Sequence, residues 1–160
     1  MKRKNGFVLI EVIVVFGMLA VITLMTTINV FGSNRSASLS GAINALIADL
    51  KTQQTKAMTG TQISGSFPLG YGIHFDANGY TLFRGLTYSV SDTTNSRVTN
   101  DTKVVFSTIS LPNDSIVFAS RSGEVVNYAT TSSSLTITHT DSGVSKVIRI
   151  NNYGVITSVN

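Results

Sequence analysis

The sequence predicts an α+β fold: a long N-terminal helix, made of a membrane half and an amphipathic half, packed on a C-terminal antiparallel β-sheet or small β-sandwich. Three observations predict it. From Phe7 to Phe31 the chain is apolar and carries one charge, Glu11. From Leu39 to Met58 large apolar residues recur at helical spacing, and from Tyr71 onward short alternating segments are separated by Gly, Asn, Asp and Pro.

The N-terminal element is read from hydropathy. At 1.5 Å per residue the run from Phe7 to Phe31 makes a helix of roughly 37 Å, enough for a hydrocarbon layer of roughly 30 Å with some tilt. Lys2, Arg3 and Lys4 precede it, and few charges follow closely. By the positive-inside rule this predicts a single-pass membrane protein with a cytoplasmic N-terminus and the remainder periplasmic or extracellular. A secretory signal and a plain anchor are the simpler readings. The first has a shorter apolar core, and the second accounts for neither Gly6 nor Glu11.

Glu11 is the informative residue. An ionised side chain inside a spanning helix costs about 2.5–3.5 kcal/mol at mid-membrane and less near an end. Cleavage between Gly6 and Phe7 would create an α-amine at similar depth, and a neighbouring helix offset by a few residues would bring its amine onto Glu11. Such a pair specifies register between subunits more than it adds stability.

The basic leader, Gly6 and Phe7-Val8-Leu9-Ile10-Glu11-Val12 resemble the class III signal of type IV pilins and type II secretion pseudopilins. The resemblance implies cleavage after Gly6 by a prepilin peptidase, N-methylation of Phe7, and pairing of Glu11 with the amine of an adjacent subunit. It covers the first fifth of the chain. No Pro interrupts the apolar run and no Cys pair closes a C-terminal loop, and these departures from the major pilins point to a minor pilin or pseudopilin.

The second half of the helix is predicted from Leu39, Ile43, Leu46, Ile47, Leu50, Ala57 and Met58, with Asp49, Lys51, Gln53 and Lys56 on other faces. Gly41 weakens it by up to about 1 kcal/mol relative to Ala. Gly60 reads as its stop. The boundaries that follow are a leader at 1–6, a transmembrane and assembly helix at 7–31, an amphipathic continuation at 32–59 and a β-rich extracytoplasmic domain at 60–160.

In that domain Tyr71, Ile73 and Phe75, then the Asp76–Gly79 turn, then Tyr80, Leu82 and Phe83 predict a hairpin. The stretch 85–102 is polar, suited to a poor edge strand or an excursion loop. Further strands are predicted at 103–109, 115–119, 124–129, 135–140, 144–150 and 153–159. Element order, with the Tyr80–Phe83 and Lys146–Ile150 segments, resembles the GspH/FimT group of minor pilins.

Composition narrows the function. The net charge is +4, of which the leader contributes three, so the chain from Phe7 carries +1 and exerts no general pull on polyanions. Cysteine is absent, which removes disulfides and thiol chemistry. No phosphate loop, dinucleotide fingerprint or serine elbow occurs, so the protein reads as a non-enzyme without cofactors.

His74-Phe75-Asp76 and His139-Thr140-Asp141 form a repeated His-x-Asp, in which residues two apart on a strand share a face. They are weak metal candidates, because Asp is also an ordinary turn residue. Arg35, Lys51 and Lys56, and Arg84, Arg97, Lys103 and Arg121, are candidate basic strips. Without interleaved aromatics they make nucleic acid an unsupported partner.

The expected partners are therefore the prepilin peptidase, other pilin or pseudopilin subunits contacted through the helix, and the inner or cytoplasmic membrane. The expected function is a structural subunit of a type IV pilus or type II secretion-like filament. The alternative is a membrane-anchored β-rich binding module, an adhesin or uptake receptor, that never assembles.

Overall fold

The structure, a computed structural model, describes residues 9–60, 69–126 and 128–160, with side chains left out of the description at 26–36. Its elements are α1 (Leu9–Thr59), β1 (Gly70–Asp76), β2 (Gly79–Arg84), β3 (Ser96–Thr99), β4 (Val104–Ser110), a 3-10 turn at Pro112–Asp114, β5 (Ser115–Ala119), β6 (Ser134–His139), β7 (Ser145–Ile150) and β8 (Ile156–Val159).

The chain divides into two compact units, Met1–Ala37 and Ser38–Asn160. The helical residues of α1 are therefore shared between them, and only those from Ser38 onward belong to the unit that holds the sheets. In place of one long helix packed as a whole on a sheet, there is a helical stretch in each unit and two antiparallel sheets of four strands each. The fold class expected from the sequence is corrected accordingly.

The membrane half is corrected too. Among the described residues no helix is long and apolar enough to cross a membrane. The apolar stretch with described side chains, Leu9–Met25, is roughly 25 Å long against the roughly 30 Å of a hydrocarbon layer. The expectations of a transmembrane helix over 7–31 and of a single-pass membrane protein with its N-terminus in the cytoplasm are overturned by this finding.

In the second unit the helix buries Leu39, Ile43, Leu46, Leu50 and Ala57, with Leu46 and Ala57 fully inaccessible. Steps of four and three residues keep these side chains on one face. The same arithmetic places Gln53 in the stripe, and it is 2% exposed. The sequence reading put Gln53 on another face and Met58 in the core, whereas Met58 is 52% exposed. Gly60 ends the helix as expected of a C-terminal glycine: its φ is 64° and its N–H donates to the Lys56 carbonyl at 3.1 Å.

The first sheet has the order β3-β2-β1-β5 and the second β4-β6-β7-β8, every pairing antiparallel. Ile73, Phe75, Tyr80, Ile116 and Phe118 from the first sheet join Val104, Phe106, Leu135, Ile137, Ile148 and Ile150 from the second in one core with the helical stripe. Phe75 and Phe106 meet edge to face at 5.5 Å between ring centres.

The β1–β2 hairpin falls where the alternation predicted it, with Asp76 opposite Gly79 and the Asn78 N–H donating to the Asp76 carboxylate. Gly79 is required for packing, not for φ. A Cβ there would collide with the Val98 carbonyl of β3, which runs alongside.

Three segments differ from expectation. The polar stretch 85–102 yields only the short edge strand β3. The strand expected at 124–129 is replaced by isolated pairs, Phe118 with Val125 and Ala129 with Ser132. The strand expected from Tyr153 starts at Ile156, because the Asn151 side chain accepts hydrogen bonds from the N–H groups of Tyr153 and Val155. That local turn competes successfully with the ladder.

A polar contact joins helix to sheet. Buried Tyr80 donates its hydroxyl to the Asp49 carboxylate at 2.6 Å. Burial, then this hydrogen bond and the charge of Asp49, raise the Tyr80 phenol above its ordinary pKa.

Tyr80→Phe is expected to destabilise the fold by about 1.5–3 kcal/mol in chemical denaturation, the range for a hydrogen bond to a charged acceptor. Because the folded phenol holds its proton above the unfolded value, stability is full below pH about 10 and declines as pH rises past it. The part of that decline due to Tyr80 is expected to vanish in Tyr80→Phe.

Candidate functional site

Of the N-terminal site, Gly6 and Phe7 lie outside the described residues, while Glu11 stands on α1 in the first unit. Every described side chain from Leu9 to Met25 is exposed, with Leu9 77% and Phe16 67% accessible. The exposure runs around the whole circumference of the helix. Ile10, Glu11, Val14 and Val15 line a shallow open groove, since residues four apart are neighbours on a helix. Among the described residues Glu11 makes no ion pair. The arrangement is one carboxylate on an otherwise uncharged, largely apolar surface.

The His-x-Asp pairs sit at strand ends, as the sequence suggested, but each member has other company. His74 Nδ1 is 2.9 Å from Ser115 Oγ, and its ring stacks on Tyr88 at 4.0 Å and 11°. Asp76 forms a bidentate pair with Arg97. His139 is 3% exposed with Nδ1 3.3 Å from Ser142 Oγ, and Asp141 pairs with Lys103. Among the described residues no three His, Asp or Glu side chains converge in the way a metal ion requires.

These contacts also break up the candidate basic face, since Arg97 and Lys103 are both engaged by carboxylates. The remaining cations are distributed differently. Lys56 from the helix and Arg84 from β2 line a cavity of about 300 Å³, together with Gln53, Tyr71, Phe83 and Thr94. Gln53 and Lys56 are three residues apart and so face the same way. The Oε1 of Gln53 is buried and accepts no hydrogen bond among the described residues.

This cavity was missed from sequence because Gln53 was assigned to a face other than the core stripe. The signal was present: the 39-43-46-50-53-57 series runs through it, and a glutamine at a stripe position is a buried polar group in need of a partner.

Burial holds the His74 imidazole below its ordinary pKa, and Arg97 acts in the same direction, against the opposing influence of Asp114 and of a hydrogen bond with the Asn113 backbone. The unfolded chain therefore binds more protons than the folded one below pH about 6.5, so this contribution is full above that value and is lost as pH falls through the folded pKa. Thermal melts between pH about 7 and about 5 are expected to show a decline in the midpoint that is shallower in His74→Asn than in the parent.

The chain matches no family model, no curated protein and no solved structure.

Proposed function

We propose that the protein is a structural subunit of a filament, of the minor pilin or pseudopilin kind, that acts by helix packing and not by catalysis. The observation that supports this reading is the helical stretch Leu9–Met25, apolar on every side, exposed along its length and carrying Glu11 as its one charge. A helix that is hydrophobic all round is a buried element by composition. Covering a Val, Leu, Ile or Phe side chain stabilises by about 1.5–3 kcal/mol, and the helices of neighbouring subunits offer a surface of matching character.

Glu11 supplies what apolar packing lacks, a preferred stagger. In this proposal a prepilin peptidase removes the leader after Gly6 and the new amine at Phe7, N-methylated, meets Glu11 of an adjacent subunit. A carboxylate enclosed among apolar helices without such a partner is strongly disfavoured. Misregistered packing is thereby penalised, and correctly staggered entry is not.

The β-rich unit would then be carried on the filament surface. Its two sheets and helical stripe share one core.

The test is Glu11→Ala. The variant is expected to be produced and cleaved after Gly6 like the parent while its recovery in sheared filaments drops by about tenfold or more, equivalent to at least about 1.4 kcal/mol per incorporated subunit. Recovery equal to the parent overturns the role given to Glu11.

A further inference from the structure

We propose that residues 85–95 form a strap across the outer face of the first sheet, and that the strap is released when His74 takes up a proton. The inference concerns the second unit alone and is independent of what covers the N-terminal helix.

The strap meets the sheet through Tyr88. On β1 and β2 the side chains of Ile73, Phe75 and Tyr80 enter the core, so His74 and Phe83, at the alternate positions, lie on the opposite face. Phe83 leans across Gly72, where a Cβ would collide with its ring, and is 3% exposed although it faces away from the core. Tyr88 supplies cover on that side. Its ring stacks on His74 at 4.0 Å between centres and 11° between planes, and it meets Phe83 edge to face at 5.6 Å. Leu86 and Val90, two residues to either side, are exposed.

The rest of the segment is bonded to itself. The Asp92 N–H donates to the Ser89 carbonyl and the Asn95 N–H to the Asp92 carbonyl, both at 3.2 Å, and the Asn95 side chain reaches the Ser89 carbonyl at 2.8 Å. The Asp92 carboxylate accepts from the N–H and hydroxyl of Thr94. At the root, Gly85 turns the chain out of β2 at a φ of 110°, and its N–H donates to the Gly70 carbonyl at 2.8 Å. A loop closed by its own hydrogen bonds and seated by an aromatic ring can lift as a unit, at the low-cost end of local opening.

His74 makes that seat sensitive to acid. Its Nδ1 is 2.9 Å from Ser115 Oγ, which donates to the Asn113 carbonyl. Asp114 acts on it from the 3-10 turn, and Arg97 acts on it from β3, where it pairs with Asp76 of β1. Asp114 and the Asn113 backbone favour the imidazolium, whereas burial, the largest influence, and Arg97 disfavour it. Tyr88 is part of that burial, because a stacked ring takes one face of the imidazole out of water. Lifting the strap returns the face to solvent, so the open form binds a proton more readily than the closed form, and acid shifts the population toward the open form. Attraction of an imidazolium to a π face works in the opposite sense, and it predicts tightening where desolvation predicts release.

The experiment uses the full chain in neutral detergent micelles. NMR titration follows His74 and His139, the two histidines of the chain. Tyr88→Ala is expected to move the His74 midpoint upward, toward the ordinary histidine value, and to leave that of His139 in place. Hydroxyl-radical footprinting reads the cover itself. Oxidation of Phe83, relative to the exposed Tyr153, is expected to rise by at least about twofold between pH about 7.5 and about 5. Oxidation of Phe75, in the core, is expected to stay constant over the same range, which separates strap release from unfolding. In His74→Asn the rise at Phe83 is expected to disappear.

A His74 midpoint that Tyr88→Ala leaves in place or lowers overturns the proposal. So does Phe83 oxidation that stays constant or falls on acidification, that rises together with Phe75, or that keeps its rise in His74→Asn.

Discussion

An apolar helix surface in water is unstable with respect to almost any arrangement that covers it, and this constraint governs the first unit of the protein. From Leu9 to Met25 the exposed face is the entire helix, so no rotation of the helix hides it. Only an enclosure on all sides removes the cost. The described apolar stretch does not amount to a membrane span. In the proposed filament a ring of like helices would provide enclosure from every direction, with Glu11 setting its register.

The second unit answers the same constraint internally. Its helical stripe from Leu39 to Ala57 is covered by strands of both sheets, and the result is a closed core. Two polar side chains depart from that apolar rule with opposite outcomes. Asp49 reaches Tyr80, and the pair ties helix to strand. Gln53 points its oxygen at nothing described, beside a cavity lined by two cations. The satisfied pair stabilises the fold, whereas the unsatisfied group costs it stability.

How far the sequence disclosed this depended on whether a feature was local. The Asp76–Gly79 hairpin was legible because turn residues and alternation act within a few positions, and the strand at Ser115–Ala119 was bounded by Pro112 and the Ser120–Gly123 turn. The start of β8 was not legible, because the Asn151 side chain diverts two N–H groups into a turn. The division between Ala37 and Ser38 was also hidden. Helical periodicity describes which residues form a helix and carries no information on which of them share a core. The cavity was half legible: Lys56 and Arg84 were seen as cations, but their convergence with Gln53 depends on how α1 lies against β2.

The central claim, that the apolar helix is matured for assembly, turns on the state of the chain's first residues in the cell. Intact-mass measurement of the mature protein isolated from cells tests it most directly. The account predicts a chain that begins at Phe7 and carries one added methyl group on its amine. A mature chain that still begins at Met1 would contradict it.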